Sequence, residues 1–192
     1  MAASSSFSPR VLFVVVFLVV AVANLAGGAR SGAGDTVSDS CDAIRDFVDV
    51  AFCETALRSS SGAAATDRHG HLLIAADLAA KRGDSARSTA AAAAAAGGEM
   101  RDGMEACEML YGSSSVPAVR MMRRYAAARR WEAARSLMWL SSQAGIGCAA
   151  ALGGDGGAAA AATGMDKENE DFRKLAAMAT ALLNSVAVGS SG

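Results

Sequence analysis

The feature that most constrains the fold is the spacing of apolar residues, which recur at steps of three and four along most of the chain. This spacing places them on one face of an α-helix. The pattern is clearest in residues 166–188, where the stripe consists of Phe172, Leu175, Ala179, Leu182 and Val186. Beyond the first 30 residues there is no sustained alternation of β-branched and polar residues, as strands would require. The chain is therefore predicted to be all-α.

Turn signals divide the helical pattern into one short and four long segments. Residues 41–57 are short and amphipathic, and Ser59–Gly62 ends them. The long segments are residues 64–96, 99–128, 131–150 and 166–188. Pro117 predicts a kink or restart in the second, and a Gly/Ala-rich linker, residues 153–164, precedes the last. Long helices with short links pack antiparallel, so we expect an up-and-down four-helix bundle with an N-terminal helical hairpin.

The composition predicts a thin core for this bundle. Hydrophobic residues make up 52% of the chain, but aromatic residues only 5%, and much of the remainder is alanine, which buries little surface. The seam expected in the third long segment shows the same bias, since it consists of Ala133, Leu137, Leu140 and Ala144. A core of this kind benefits from covalent staples.

The first 23 residues are predicted to be a secretory signal peptide. Arg10 supplies the positive charge, Val11–Ala23 is an apolar run of 13 residues, and Ala21-Val22-Ala23 offers a cleavage site. A membrane span needs about 20 apolar residues, so we expect cleavage, secretion to the apoplast or cell wall, and no stable membrane association. Residues 24–40 are predicted to be a flexible lead-in, and residues 189–192 a short tail.

Four cysteines follow the signal peptide: Cys41, Cys53, Cys107 and Cys148. An even number in an oxidising compartment favours two disulfides, and four cysteines allow three pairings. The sequential pairing is the simplest, because nested or crossed pairings would force the hairpin into the bundle.

Four segments, taken in order, resemble a known family. They are Cys53-Glu54-Thr55-Ala56-Leu57, Cys107-Glu108-Met109-Leu110-Tyr111, Leu140-Ser141-Ser142-Gln143-Ala144 before Cys148, and a final helix that opens near Asn169 and Phe172. Together they resemble the plant invertase/pectin methylesterase inhibitors over residues 41–188. The resemblance implies a four-helix bundle with a hairpin extension and disulfides Cys41–Cys53 and Cys107–Cys148. It also implies non-covalent inhibition of a cell-wall carbohydrate enzyme.

The differences from that family bear on the partner. Members directed at invertase usually carry a Pro-Lys-Phe motif, whereas the only proline after the signal peptide is Pro117, which Ala118 follows. The resemblance therefore favours pectin methylesterase as the partner, with acid invertase as the alternative. The Ala and Gly expansions leave a third reading open, a secreted helical scaffold or signalling protein without inhibitory activity. In each reading the protein is not an enzyme, and neither a cofactor nor nucleic acid is expected.

No group of residues predicts a catalytic or metal site. His69 and His71 are two apart on a helix and point to different faces, and no nearby acid or cysteine completes a metal site. Both are therefore predicted to be solvated. Glu105 and Glu108 are read as a solvated face, because paired catalytic carboxylates must flank a substrate across a cleft.

A basic cluster surrounds the turn between the second and third long segments. It consists of Arg120, Arg123, Arg124, Arg129, Arg130 and Arg135, with Tyr125 and Trp131 interleaved. In a secreted chain with a formal net charge of −1, such a cluster favours a solvated face or a protein-binding surface over nucleic-acid binding. We expect the partner contacts to include Arg124, Arg130, Trp131 and Glu132.

Overall fold

Helices form all the regular secondary structure in the residues that the computed structural model describes, 35–153 and 163–189. The all-α prediction is confirmed. The predicted signal peptide, residues 1–23, lies outside the described residues, as do residues 24–34, 154–162 and 190–192. The α-helices of the described ranges are α1 Thr36–Asp42, α2 Val50–Arg58, α3 Arg68–Ala96, α4 Arg101–Leu110, α5 Val116–Ala127, α6 Trp131–Arg135, α7 Met138–Ala151 and α8 Met165–Gly189.

Helices α1 and α2 form the N-terminal hairpin. Asp35 and Asp49 cap them by accepting hydrogen bonds from backbone N–H groups of the first turn. The disulfide between Cys41 and Cys53 joins the two helices, with Cα atoms 5.7 Å apart. Because α1 begins at Thr36, the predicted domain boundary at residue 41 is five residues late, and the end of the predicted flexible lead-in is helical.

Helix α3 is the longest helix of the described residues and buries a stripe of small side chains. Asp67 caps it by accepting a hydrogen bond from Gly70 N–H (2.9 Å), and this bond lowers the pKa of the Asp67 carboxyl. The buried stripe includes Ala75, Ala76, Ala79, Ala80, Gly83, Ala86, Ala90 and Ala94. A β-carbon at Gly83 would lie 2.5 Å from Val116 Cγ2 and 3.0 Å from Phe172 Cε2. This glycine, a poor helix former, therefore lets α5 and α8 pack closely on α3.

The second long segment is divided by a π-helical turn, Tyr111–Ser115, between α4 and α5. Pro117 lies in the first turn of α5, directly after the π turn, so the helix changes its hydrogen-bonding pattern near the predicted position but does not stop there. Ser115 is buried; its hydroxyl donates to Leu140 O (2.8 Å) and accepts from Ala144 N–H (2.9 Å). Leu140 O and Ala144 N–H are four residues apart and would bond to each other in a regular α-helix, so the Ser115 hydroxyl is inserted between them.

The third long segment is also broken, since α6 ends at Arg135 and α7 begins at Met138. Of the predicted seam, Ala144 is buried, but the break shifts the helical register and leaves Leu140 44% exposed. The buried positions of α6 and α7 are Ala134, Ser141, Ala144, Gly145 and Cys148. A β-carbon at Gly145 would lie 2.4 Å from Arg173 Cγ, so this glycine allows the close approach of α8.

Two core clusters establish how the helices run. In one cluster the first half of α3 packs with the hairpin, α5 and the second half of α8. In the other, the second half of α3 packs with α4, α7 and the first half of α8. Helix α3 is therefore antiparallel to both the α4–α5 segment and α8. Helix α7 runs antiparallel to α4–α5, because Cys107 is bonded to Cys148 and the Ser115 hydroxyl to Leu140 O.

A buried polar network ties α7 and α8 to the turn that follows α4. The Tyr111 hydroxyl donates to Asn169 Oδ1 (2.6 Å), and Asn169 Nδ2 donates to Gly145 O (2.9 Å). The Tyr111 ring meets Phe172 edge-on, with centroids 5.0 Å apart. Burial raises the pKa of Tyr111 well above its ordinary value. The second disulfide, whose Cα atoms are 4.6 Å apart, lies in the same cluster and completes the sequential pairing that the resemblance implies.

Candidate protein-binding surface

The turn after α5 carries most of the predicted contact residues. Two backbone hydrogen bonds close it, Arg129 N–H to Ala126 O and Arg130 N–H to Tyr125 O, both 2.9 Å, which together form a Schellman motif. The motif places Arg129 in the left-handed region with φ 55°, and no other non-glycine residue of the described ranges has a positive φ. Glycine usually occupies this position, so the turn presents an arginine side chain at the cost of some backbone strain.

Neighbouring rings hold Arg130 and Trp131 in place. The guanidinium carbon of Arg130 lies 5.0 Å from the centroid of the Tyr125 ring, within cation–π distance. Trp131 meets the His69 ring edge-on at a centroid distance of 5.5 Å, and His69 Nε2 donates to Ala126 O at 2.9 Å. Trp131 is consequently half-buried, while Arg130 remains exposed beside it.

The arginines of the basic cluster divide into paired and unpaired residues. Three form ion pairs: Arg120 with Asp84, Arg123 with Asp77, and Arg135 with Glu132. Arg124, Arg129 and Arg130 are exposed and form no ion pair with any described residue. The Glu132 side chain is 88% exposed despite its pairing. The four predicted contact residues thus lie around one turn, and three of the six cationic charges of the cluster are left to solvent or a partner.

A second group of surface residues was missed by the sequence analysis. These are large apolar side chains exposed on α4, α5 and α7: Met109 (67%), Met121 (46%), Trp139 (72%), Leu140 (44%) and Ile146 (55%). We call this group the outer apolar surface. Among the described residues, the other exposed large hydrophobic side chains are Phe47 in the hairpin and Val188 near the end of α8. Since α4–α5 and α7 are neighbours in the bundle, these exposed side chains are concentrated on two adjacent helical segments.

An open groove of about 380 Å³ lies between α7 and α8, next to this surface. Its lining includes Ser142 and Ile146 of α7 and Glu170, Arg173 and Lys174 of α8. Both cations pair with Glu170, at 3.5 and 3.2 Å. Because both cations are paired with a carboxylate of the same helix, the groove offers a contact surface rather than a set of groups poised for catalysis.

The prediction that both histidines are solvated is wrong. His71 is fully buried: its Nε2 donates to Ala63 O and its Nδ1 accepts from the Ser40 hydroxyl, both at 2.8 Å. These bonds attach α3 to the hairpin and to the short 3-10 turn before α3. His69 is partly buried against Trp131. The two histidines contact different elements, and the described residues contain no group of three side chains able to hold a metal ion.

The two glutamates of α4 are each paired with an arginine. Glu105 pairs with Arg101 (2.8 Å) on the same helix, and Glu108 with Arg87 (3.8 Å) on α3. Both side chains are open to solvent, at 49% and 38% exposed. They therefore form part of a solvated, ion-paired face, as the sequence analysis expected.

Comparison with known families connects this architecture to a class of proteins. The family model for plant invertase/pectin methylesterase inhibitors matches residues 35–182, from the N-cap of α1 to well within α8. The chain belongs to this family. Membership supports an inhibitor function in general, and it fits a protein that is not itself an enzyme. A comparison with the curated proteins gives no significant match. Within the described ranges, no helix has the length and apolar character to cross a membrane.

Proposed function

We propose that the chain is a secreted inhibitor of pectin methylesterase that binds the enzyme non-covalently and covers its substrate cleft. Family membership supports the inhibitor class. The missing Pro-Lys-Phe motif favours the esterase over acid invertase, and the predicted signal peptide, residues 1–23, favours delivery to the apoplast. The proposal requires a surface with which a folded bundle can grip another protein.

The observation that carries the proposal is the outer apolar surface. Trp139 and Ile146 are seven residues, or about two turns, apart on α7, so they project on the same side of the helix. Tryptophan and methionine are enriched at the centres of interfaces, and a tryptophan that is 72% exposed loses most of its contact with water only when a partner covers it. We assign Trp139 as the central contact of the enzyme interface.

The α5–α6 turn supplies the charged part of the proposed interface. Arg124 and Arg130 have no carboxylate partner in the described residues, so a carboxylate on the enzyme can pair with either without breaking an internal ion pair. Glu132 is exposed enough to pair with a cation of the enzyme. Trp131, between Arg130 and Glu132 in the sequence, supplies apolar contact area. We propose these four residues as contacts at the rim of the outer apolar surface.

The first experiment measures pectin methylesterase and acid invertase activity at mildly acidic pH with increasing amounts of purified, oxidised residues 24–192. We expect a stoichiometric loss of esterase activity alone. Loss of invertase activity alone would move the target to invertase. Loss of neither, from a protein shown to be folded and disulfide-bonded, would favour the scaffold or signalling role.

A pair of matched variants tests the surface itself. We expect Trp139→Ala to weaken inhibition by about 30-fold, the equivalent of the ~2 kcal/mol typical of an interface hot spot. Phe47→Ala is the control, because Phe47 is an aromatic residue of similar exposure, 79%, that lies in the hairpin. Equal effects of the two variants would contradict the proposed interface.

A second pair of variants tests the charged rim. Arg124→Gln should weaken inhibition more at low salt than at high salt, since rim charges act mainly through screened electrostatics. Arg120→Gln is the control, because Arg120 is already paired with Asp84 of α3. The assignment of Arg124 would be abandoned if the two variants had the same salt dependence.

A further inference from the structure

The methionines of the outer apolar surface differ from the other methionines of the described residues in their exposure. Met109 is 67% and Met121 46% exposed. Four others are buried at 1% or less: Met104, Met122, Met165 and Met178. The two remaining described methionines, Met100 and Met138, are partly buried. Met121 and Met122 are adjacent in sequence, yet one is exposed and the other buried because they are about 100° apart around the α5 axis.

We propose that Met109 and Met121 are modification sites whose oxidation by hydrogen peroxide weakens the grip of the inhibitor on its target. This inference rests on the proposed function, because it takes the outer apolar surface as the enzyme interface. In the reaction the sulfur lone pair attacks one peroxide oxygen, an S–O bond forms and the O–O bond breaks. The sulfur is oxidised by two electrons to the sulfoxide, and the second peroxide oxygen leaves as water with both protons.

The distribution of sulfur in the protein directs peroxide to these two side chains. All four cysteines of the chain are held in the two disulfides, so no thiol of the protein competes for the oxidant. The four buried methionines lie in the two core clusters. Met109 and Met121 are the most exposed methionines in the described part of the chain.

Exposure also determines what the modification does. A sulfoxide on the outer side of α4 or α5 stays hydrated in the free protein, so the fold is undisturbed. In the complex the same S=O group must lose its water at an apolar interface, which is unfavourable unless the partner supplies a donor. Oxidation therefore acts on binding and leaves folding unchanged, whereas oxidation of a buried methionine would disrupt the core.

The test treats the mature protein with limiting hydrogen peroxide, removes the oxidant, and maps the sulfoxides by peptide mass spectrometry. Circular dichroism and inhibition of the target enzyme are measured before and after. We expect sulfoxides first at Met109 and Met121, an unchanged helical spectrum, and inhibition weakened about tenfold, equivalent to ~1.4 kcal/mol. Treatment with methionine sulfoxide reductases should restore inhibition, since the reaction is reversible.

Two double variants are each compared with their own untreated form. Met109→Leu with Met121→Leu should make inhibition insensitive to peroxide, because leucine is similar in volume and carries no sulfur. Met100→Leu with Met138→Leu should remain sensitive. Earlier oxidation of Met100 or Met138, or full oxidation of the proposed pair without loss of inhibition, would overturn the proposal. If the untreated protein inhibits neither enzyme, the proposed function fails, and the proposed effect of methionine oxidation fails with it. If inhibition is equal before and after oxidation, the proposed effect of methionine oxidation is overturned and the proposed function still stands.

Discussion

Replacing Tyr111 by Phe removes one oxygen atom from the core and tests how α7 and α8 are fixed to the turn that follows α4. The hydroxyl is fully buried and donates to Asn169 Oδ1 at 2.6 Å. Asn169 is itself 6% exposed, and its other polar atom is engaged with Gly145 O. In the Phe variant the amide oxygen has lost its donor, and water can reach it only if the helices separate.

The expected loss follows from that unsatisfied oxygen. A buried acceptor without a partner costs about 1–3 kcal/mol, compared with about 1 kcal/mol for an average hydrogen bond. In a domain of this size, 2 kcal/mol corresponds to a fall of about 4–8 °C in Tm. Since globular domains are stable by only about 5–15 kcal/mol, this is a large fraction of the total for one atom.

The assay is urea unfolding followed by circular dichroism, with both disulfides intact. Tyr125→Phe is the matched control, because Tyr125 is the other of the two tyrosines and its hydroxyl has no hydrogen bond within the described residues. The control should change the free energy of unfolding by about 0.5 kcal/mol or less. A double-mutant cycle with Asn169→Ala should give a coupling of about 0.5–3 kcal/mol. Equal losses for the two tyrosine variants, or zero coupling, would refute the reasoning.

Three further predictions concern the same framework. In a Tyr125→Phe variant, the remaining tyrosine should stay protonated at pH about 10, where an ordinary tyrosine ionises. The raised folded-state pKa of Tyr111 means that its contribution to stability is full below about pH 10 and is lost at higher pH, which phenolate absorbance and unfolding will show together. Replacing both cysteines of the α4–α7 disulfide by serine should cost about 4 kcal/mol, and the same change in the shorter hairpin loop about 3 kcal/mol, as measured by thermal unfolding. His71→Ala should increase hydrogen exchange in the hairpin more than in α7, because the imidazole joins the hairpin to α3.

The sequence predicted helices best where periodicity was long and uninterrupted. In α8 the stripe through Phe172 and Leu182 is buried, as its steps of three and four require. The stripe failed across Ser136 and Leu137, where the helix breaks without a glycine or proline to signal it. Phe47 in the hairpin is 79% exposed for a similar reason, because the chain between α1 and α2 forms turns rather than a continuous helix. A helical stripe identifies a buried face only while the helix keeps its phase.

The part of the candidate surface that is local in sequence was predictable, and the rest was not. Arg124, Arg130, Trp131 and Glu132 are close in sequence, so any turn at this point brings them together. The outer apolar surface has no such local signal. The residue type cannot distinguish exposed Met121 from buried Met122, because the difference depends on the rotation of α5 about its axis. That rotation is set by contacts distant in sequence and by the π turn before α5, which changes the phase between α4 and α5.

The placement of large and small residues argues that stability alone did not shape this bundle. Gly83, Gly145 and the alanine stripe of α3 draw the helices close together, so the core is thin and depends on fixed points such as the disulfides and the Tyr111 network. A tryptophan turned inward would enlarge such a core, yet Trp139 lies on the outer side of α7 with most of its surface in water. A large apolar side chain in water beside a core of small residues is a departure from the usual pattern, and such departures are expected where a protein binds a partner. A closely packed, covalently fixed bundle has little freedom to rearrange, so it can present that apolar surface to a partner with little loss of conformational entropy.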